Sequence, residues 1–207
     1  MTSVDPWRET TSGNRLSRHT QIYGGQKIVM SGMCVVAESC KLFGNVQMRD
    51  ERREAISMGL FCVIDKGCLL KPSQIAVDYD KCGKKPESNA LYRTLTMGSF
   101  VFIGMNCEVH CHRIGRRVIV GSNCQLSRGC ELGDVVVVEP NVTIPEMCKV
   151  PSYTRVRQHE KFRGAVQFTP LSGSLRNCIE NWCREAYLGL PLDLEELLAD
   201  LQHGSSI

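Results

Sequence analysis

Between residues 97 and 156 an apolar side chain returns at almost every sixth position. The series is Met97, Ile103, Val109, Ile114, Val120, Leu126, Leu132, Val138, Ile144, Val150 and Val156, with a single five-residue step before Ile114. Two places ahead of most of these stands a small or β-branched residue, as in Val101, Cys107, Val118, Cys124, Cys130, Val136, Val142, Cys148 and Thr154; Leu95 and His112 fit poorly. A glycine or proline often follows: Gly98, Gly104, Gly115, Gly121, Gly133, Pro145, Pro151. A period of six suits neither a helix nor a long strand. It suits short strands with alternate residues inward, broken by sharp corners and stacked as a solenoid. Glycine is expected at the corners for its freedom at positive φ.

Charge gives the size of the coil. If three six-residue sides close one turn, residues eighteen apart lie above one another. Arg113 then stacks with Glu131, Glu131 with Lys149, Arg116 with Asp134, Arg128 with Glu146, and Glu139 with Arg157, all of opposite sign. A spacing of twelve would set Arg116 on Arg128 and Asp134 on Glu146. Strands about 4.8 Å apart let such pairs meet, although each exposed pair contributes only about 0.2–1 kcal/mol. Three inner columns follow: Val120, Val138 and Val156; Ile114, Leu132 and Val150; Leu126 and Ile144. Their burial, at roughly 25 cal/mol per Å², is the expected main stabiliser.

The same pattern appears earlier in Met30, Val36, Leu42 and Met48, and again in Met58, Ile64 and Leu70. A charged run, Arg49 to Glu54, breaks it once, as a solvated loop or a docking loop. A longer stretch from about Lys71 to Thr94, with Pro72, Gly83 and Pro86, breaks it again. About eighteen hexads predict an all-β solenoid of about six triangular coils. The expected division is an N-terminal segment over 1–20, a β-helix over 21–157 with excursions at 49–55 and 71–94, and a loop with helices over 158–207. In that last part Leu175, Ile179, Trp182 and Ala186 follow a helical period ended by Gly189 and Pro191. Asp193 then reads as the N-cap of a second helix, with Glu196 as its capping-box partner and Leu194, Leu197, Leu198 and Leu201 on its apolar side. These helices are expected to cover the flank of the solenoid.

Composition adds exclusions. The net charge of +3, with both signs interspersed, argues against a dedicated nucleic-acid binder. No apolar run is long enough to span a bilayer, and the polar start, Thr2 to Asp5, does not read as a signal segment, so a cytosolic location is expected. Of twelve cysteines, Cys34, Cys40, Cys62, Cys68, Cys107, Cys124, Cys130 and Cys148 fall at the inward small position, where a thiol acts as a compact hydrophobe. Cys130 and Cys148 come close enough to bridge, but a reducing compartment disfavours the bond. The pair His110 and His112 resembles a metal fragment, yet a zinc centre needs at least three protein ligands, and the stretch one coil on, Ser127 to Cys130, adds only an inward thiol. His112 is expected inward or at a corner, and His110 at an exposed corner. No catalytic, cofactor-binding or metal-ligating residue is assigned, and no cofactor is expected.

The hexads resemble the left-handed parallel β-helix superfamily, which includes acyltransferases and γ-class carbonic anhydrases. More specifically, the string ETTSGNRLSR (Glu9 to Arg18), Gly25-Gln26, Ile28-Val29, Gly32, the stretch Phe102 to Leu126 and the proline corners Pro145 and Pro151 resemble the β-helix subunits of the dynactin pointed-end complex. Left-handedness is what the resemblance implies, since parallel crossovers are otherwise right-handed. It also implies a non-enzymatic scaffold in the cytoplasm, associated with the cytoskeleton and with dynein-based transport. Its expected partners are a paralogous β-helix subunit and an actin-related end subunit, with dynein adaptors in addition. Carbonic-anhydrase-like relatives carry Arg-Gly-Asp where this chain has Phe43-Gly44-Asn45, which weakens the enzyme reading. The rival is a homotrimeric hydratase or acyltransferase on the same coil, with stoichiometric zinc and activity dependent on His110 or His112.

Overall fold

The computed structural model describes residues 6–75, 90–162 and 164–190. The hexads close into a three-walled prism, a left-handed parallel β-helix. The first wall holds nine strands: Trp7–Glu9, Arg15–Ser17, Val35–Val36, Val63–Ile64, Val101–Ile103, Val118–Val120, Val136–Val138, Thr154–Gln158 and Val166–Pro170. The second stacks Gln21–Tyr23, Lys41–Phe43, Leu69–Leu70, Glu108–Val109, Gln125–Leu126 and Thr143–Ile144. The third stacks Ile28–Gly32, Ile56–Leu60, Leu95–Met97, Arg113–Ile114, Glu131–Leu132 and Lys149–Val150. Six full coils result. The first-wall strand Arg15–Ser17 already belongs to the stack, ahead of the expected start at residue 21.

The register follows the predicted spacing. Val120 pairs with Val138 and Val138 with Val156, while Ile114 pairs with Leu132 and Leu132 with Val150. Arg113, Glu131 and Lys149 stand in line on the third wall. Arg128 meets Glu146 at 2.8 Å, and Asp134 Oδ1 accepts from the Arg116 amide at 2.8 Å. One predicted pair is wrong: Glu139 bonds Arg155 at 2.6 Å, not Arg157. No glycine or proline follows Val156, so its strand runs straight on into an antiparallel hairpin with Val166–Pro170 and carries Arg157 away from the stack. Met48 also leaves the expected pattern. It bridges Tyr92, and Ile56–Leu60 supplies the third-wall strand of that coil, so the first excursion begins at the Gly44 corner.

The corner glycines have a different cause from the expected one. Gly98, Gly104, Gly115, Gly121 and Gly133 are not the residues at positive φ; those lie two places later, at Phe100, Asn106, Arg117, Asn123 and Val135, with φ of 56–61°. Glycine is needed because coils touch there. A Cβ on Gly115 would collide with the carbonyl oxygen of Gly133 in the next coil. The left-handed positions on another edge hold Asn106, Asn123 and Asn141, a residue type that tolerates this region. Their side-chain amides bond along the stack, at 3.5 and 3.3 Å.

The inward cysteines are more than filler. Cys34, Cys62, Cys68, Cys107 and Cys124 each donate to a main-chain carbonyl one coil on, at Gly59, Gly98, Gly104, Gly121 and Glu139, over 3.0–3.1 Å. A thiol is small enough for the corner and still satisfies an acceptor that the corner leaves unpaired. All described cysteines are free, Cys130 and Cys148 among them, and Cys148 is only half-buried. Burial pushes the thiols of Cys111, Cys148 and Cys183 up, the last to about 12.

The helix Leu175–Leu188 starts and stops where its pattern predicts, with Gly189 at φ 77° closing it. It covers the first wall. Leu175, Ile179, Trp182 and Cys183 pack on Ile119, Val135 and Val137, and Trp182 meets Phe102 edge-on at 5.9 Å. Arg117 bonds Glu180 at 2.6 Å beside this contact. The second helix expected from Asp193 lies outside the described residues.

Two outcomes are expected. Gly115→Ala should destabilise by about 1–3 kcal/mol, several degrees in a thermal melt, whereas Gly173→Ala, where a Cβ meets nothing within 4 Å, should not. Brief alkylation of the native protein followed by peptide mapping should modify exposed Cys178 and spare Cys107 and Cys124 until denaturant is added.

Candidate interaction surface and histidine corner

Strand alternation gives each wall an outer row, and the three rows differ. The first wall presents Val35, Val63, Phe102, Ile119 and Val137, covered in large part by the helix. The third presents Val29, Ser57, Thr96, Arg113, Glu131 and Lys149. On the second wall an aromatic and cationic column stands beside the Phe43 corner. Tyr23 stacks on Phe43 at 5.0 Å with planes 16° apart, and the Lys71 ammonium lies 5.9 Å from the Phe43 ring and 5.4 Å from the Tyr92 ring. Tyr23 is 40% exposed. Such a column keeps polar tips in water and presents flat apolar area at little cost in side-chain freedom, as protein-binding surfaces do. Single-sequence reading passed over it because its members sit at corners and in an excursion, outside the hexad period.

Both excursions help to frame this surface. Ser73–Gln74 and Tyr92–Arg93 form an antiparallel stem at the root of the longer one, whose residues 76–89 lie outside the described residues. The charged run is tied to the frame at both ends. The Arg49 amide donates to Tyr92 O at 3.0 Å, and the Ala55 amide to Lys27 O at 2.8 Å. The Lys27 ammonium donates to the carbonyls of Glu51 and Arg53, and Asp50 pairs with Arg53 at 3.3 Å. A cavity of about 420 Å³ lies between this run and the stem, lined in part by Arg49, Asp50, Arg93 and His112.

The histidine corner departs from the expectation. Its step is one residue short, and Cys111, fully buried, takes the inward place. His112 therefore points outward into the cavities beside the stem, and its Nδ1 lies 3.1 Å from Thr94 O. His110 is half-buried rather than exposed, in a recess of about 170 Å³ shared with Lys71, Tyr92 and Arg128. Burial lowers its basicity below the ordinary imidazole value and Lys71 adds to the effect, with Glu108 opposing. The two rings open into different recesses. Among the described residues no group of three or more His, Cys, Asp or Glu side chains is placed to hold a metal ion.

The family described as dynactin subunit 5 matches residues 3–182, and the chain belongs to that family. Among solved structures, the chain is similar to a putative acetyltransferase from Bacillus cereus, with 14% identity and a TM-score of 0.50 over 86% of this chain and 90% of that one. It is also similar to the acetyltransferase domain of PglB from Neisseria gonorrhoeae in complex with acetyl coenzyme A, with 12% identity and a TM-score of 0.51 over 77% of this chain and 58% of that one. At this identity the likeness is one of fold. No helix among the described residues is long and apolar enough to cross a membrane.

The lowered basicity of His110 has a definite sign. Folding favours the neutral ring, so its contribution to stability is present above the free value of 6.5 and is lost as pH falls below it. An NMR titration should place the His110 midpoint below 6.5, and His110→Gln should flatten the change in melting temperature across this window. A midpoint at or above 6.5 would contradict the burial described.

Proposed function

Starting from membership of the dynactin subunit 5 family, we propose that the protein is a non-enzymatic scaffold subunit of the dynactin pointed-end complex. It acts in the cytoplasm, associated with the cytoskeleton, where it supports dynein-based transport along microtubules. Its partners are a paralogous β-helix subunit and an actin-related end subunit, and it contributes to the attachment of dynein adaptors. The observation that carries this reading is the distribution of side chains over the three walls. The chain's own helix covers the apolar wall, while the second leaves an ordered aromatic and cationic column, Tyr23, Phe43, Lys71 and Tyr92, facing outward. A rigid prism holds such a column without the ordering cost that a loop incurs on binding. The two rings of the histidine corner open into different recesses and do not converge on one site.

Co-expression with the pointed-end subunits should yield a monodisperse complex by size-exclusion chromatography with light scattering, while the chain alone self-associates. The double change Tyr23→Ala and Phe43→Ala should weaken assembly about tenfold or more and leave the circular dichroism spectrum intact. A homotrimer with stoichiometric zinc, and activity lost in His112→Ala, would favour the enzyme instead.

A further inference from the structure

The cavity of about 420 Å³ between the charged run and the stem draws its polar lining from three stretches of chain. Arg49, Asp50 and Arg53 come from the run, Arg93 from the stem, and His112 from the histidine corner. Three guanidinium groups thus share one space with one carboxylate. That carboxylate is engaged: Asp50 pairs with Arg53 at 3.3 Å and accepts from the Arg52 amide at 3.1 Å. Among the described residues, Arg49 and Arg93 have no ion pair or side-chain hydrogen bond. The other charges of the run, Glu51, Arg52 and Glu54, stand outside the lining. Glu131 lines the adjoining cavity that shares Arg93 and His112, and not this one. Like charges gathered in this way repel one another unless a counter-charge joins them.

The remaining lining is largely apolar. Met48 is 5% exposed, and Ile75 and Tyr92 are partly buried. A space of this size, with an apolar side and a few convergent polar groups, has the make-up of a small-ligand site. The main chain that carries each donor is also pinned. The Arg49 amide donates to Tyr92 O, and the Arg53 amide to Asp50 O, both at 3.0 Å. Arg93 pairs with Ser73 across the stem, and His112 Nδ1 donates to Thr94 O at 3.1 Å. Little backbone order remains to be gained when a ligand enters.

We propose that this cavity binds a small organic phosphate monoester, with the phosphate on the guanidinium groups of Arg49, Arg53 and Arg93 and the apolar body against Met48, Ile75 and Tyr92. A phosphate monoester carries close to two negative charges at neutral pH, which balances three guanidinium groups set against one carboxylate. Its three terminal oxygens accept from more than one arginine fork, whereas a carboxylate has one charge and two oxygens, enough for a single fork.

Saturation-transfer difference NMR of phenyl phosphate on the full chain tests the proposal, because it reads binding whether the chain is single or self-associated. Binding should saturate with a Kd of about 1 mM or tighter. Changing Arg49→Gln and Arg93→Gln together should weaken it about tenfold or more. Arg52→Gln removes the same charge from the same run outside the lining, and should leave the affinity within about twofold. Benzoate should bind about tenfold more weakly than phenyl phosphate. All three arginines are exposed, so the melting temperature should hold in each variant. No saturation up to about 10 mM, an equal loss in Arg52→Gln, or benzoate binding as tightly as phenyl phosphate would each overturn the proposal. Neither Arg49 nor Arg93 belongs to the aromatic and cationic column, so failure here leaves the reading of the second wall standing.

Discussion

Everything in this molecule depends on burying a single file of side chains per wall against its copies one coil above and below. A triangular coil has no other core. Val120 rests on Val138 and Val138 on Val156, and the second and third walls repeat the arrangement. Because a hexad side contributes so few inward residues, each must fit closely, and the corner must come within van der Waals reach of the next. This explains why the small position ahead of each ladder residue is so often cysteine. Its side chain fills the volume of a small hydrophobe while its thiol reaches a carbonyl that the turn would strand.

Stacking also decides what the outside can do. Stacked coils make flat, rigid walls in which the outer residues of successive levels line up, so a wall takes its character from one column of side chains. On the first wall that row is apolar and has been used internally, by the helix carrying Ile179 and Trp182. The second wall remains outward, with its aromatic column set beside the anchored excursions. Acetyltransferases and a member of the dynactin subunit 5 family can therefore share a winding at only 14% and 12% sequence identity.

Much of this was legible in the chain. The ladder gave the walls, and charge at a spacing of eighteen gave three sides to the coil. The helix from Leu175 to Gly189 was readable from period and cap. The helix-bearing wall also had a signal that went unused. Val118-Ile119-Val120 and Val135 to Val138 are unbroken apolar runs, the mark of strands buried on both faces, whereas the other walls alternate apolar with polar residues over the same coils. What lay beyond the sequence had local causes. Glycine at a corner reads as conformational freedom, and only the stacked coils reveal that it is a matter of clearance. Met48 keeps the spacing of six yet leaves the wall, because its excursion departs at Gly44 and the main chain around it pairs with Tyr92 of the second excursion. His112 was expected inward or at a corner, and the buried place falls to Cys111 instead, because the step that is one residue short shifts the frame of this corner.

That short step has a bearing on how the molecule assembles itself. Coils built from near-identical hexads can in principle pair one level out of frame, keeping every inward residue inward and creating a trap for the folding chain. Between Val109 and Ile114 the missing residue removes a corner position that the coils above fill with Gly129 and Met147. In the native frame the short side has the excursion between Leu70 and Leu95 beneath it, and its His110 and His112 amides still reach Leu126 O and Cys130 O above; a slip by one coil would instead press it between two six-residue sides. The irregularity therefore serves as a frame mark, giving an otherwise translationally degenerate stack one preferred alignment.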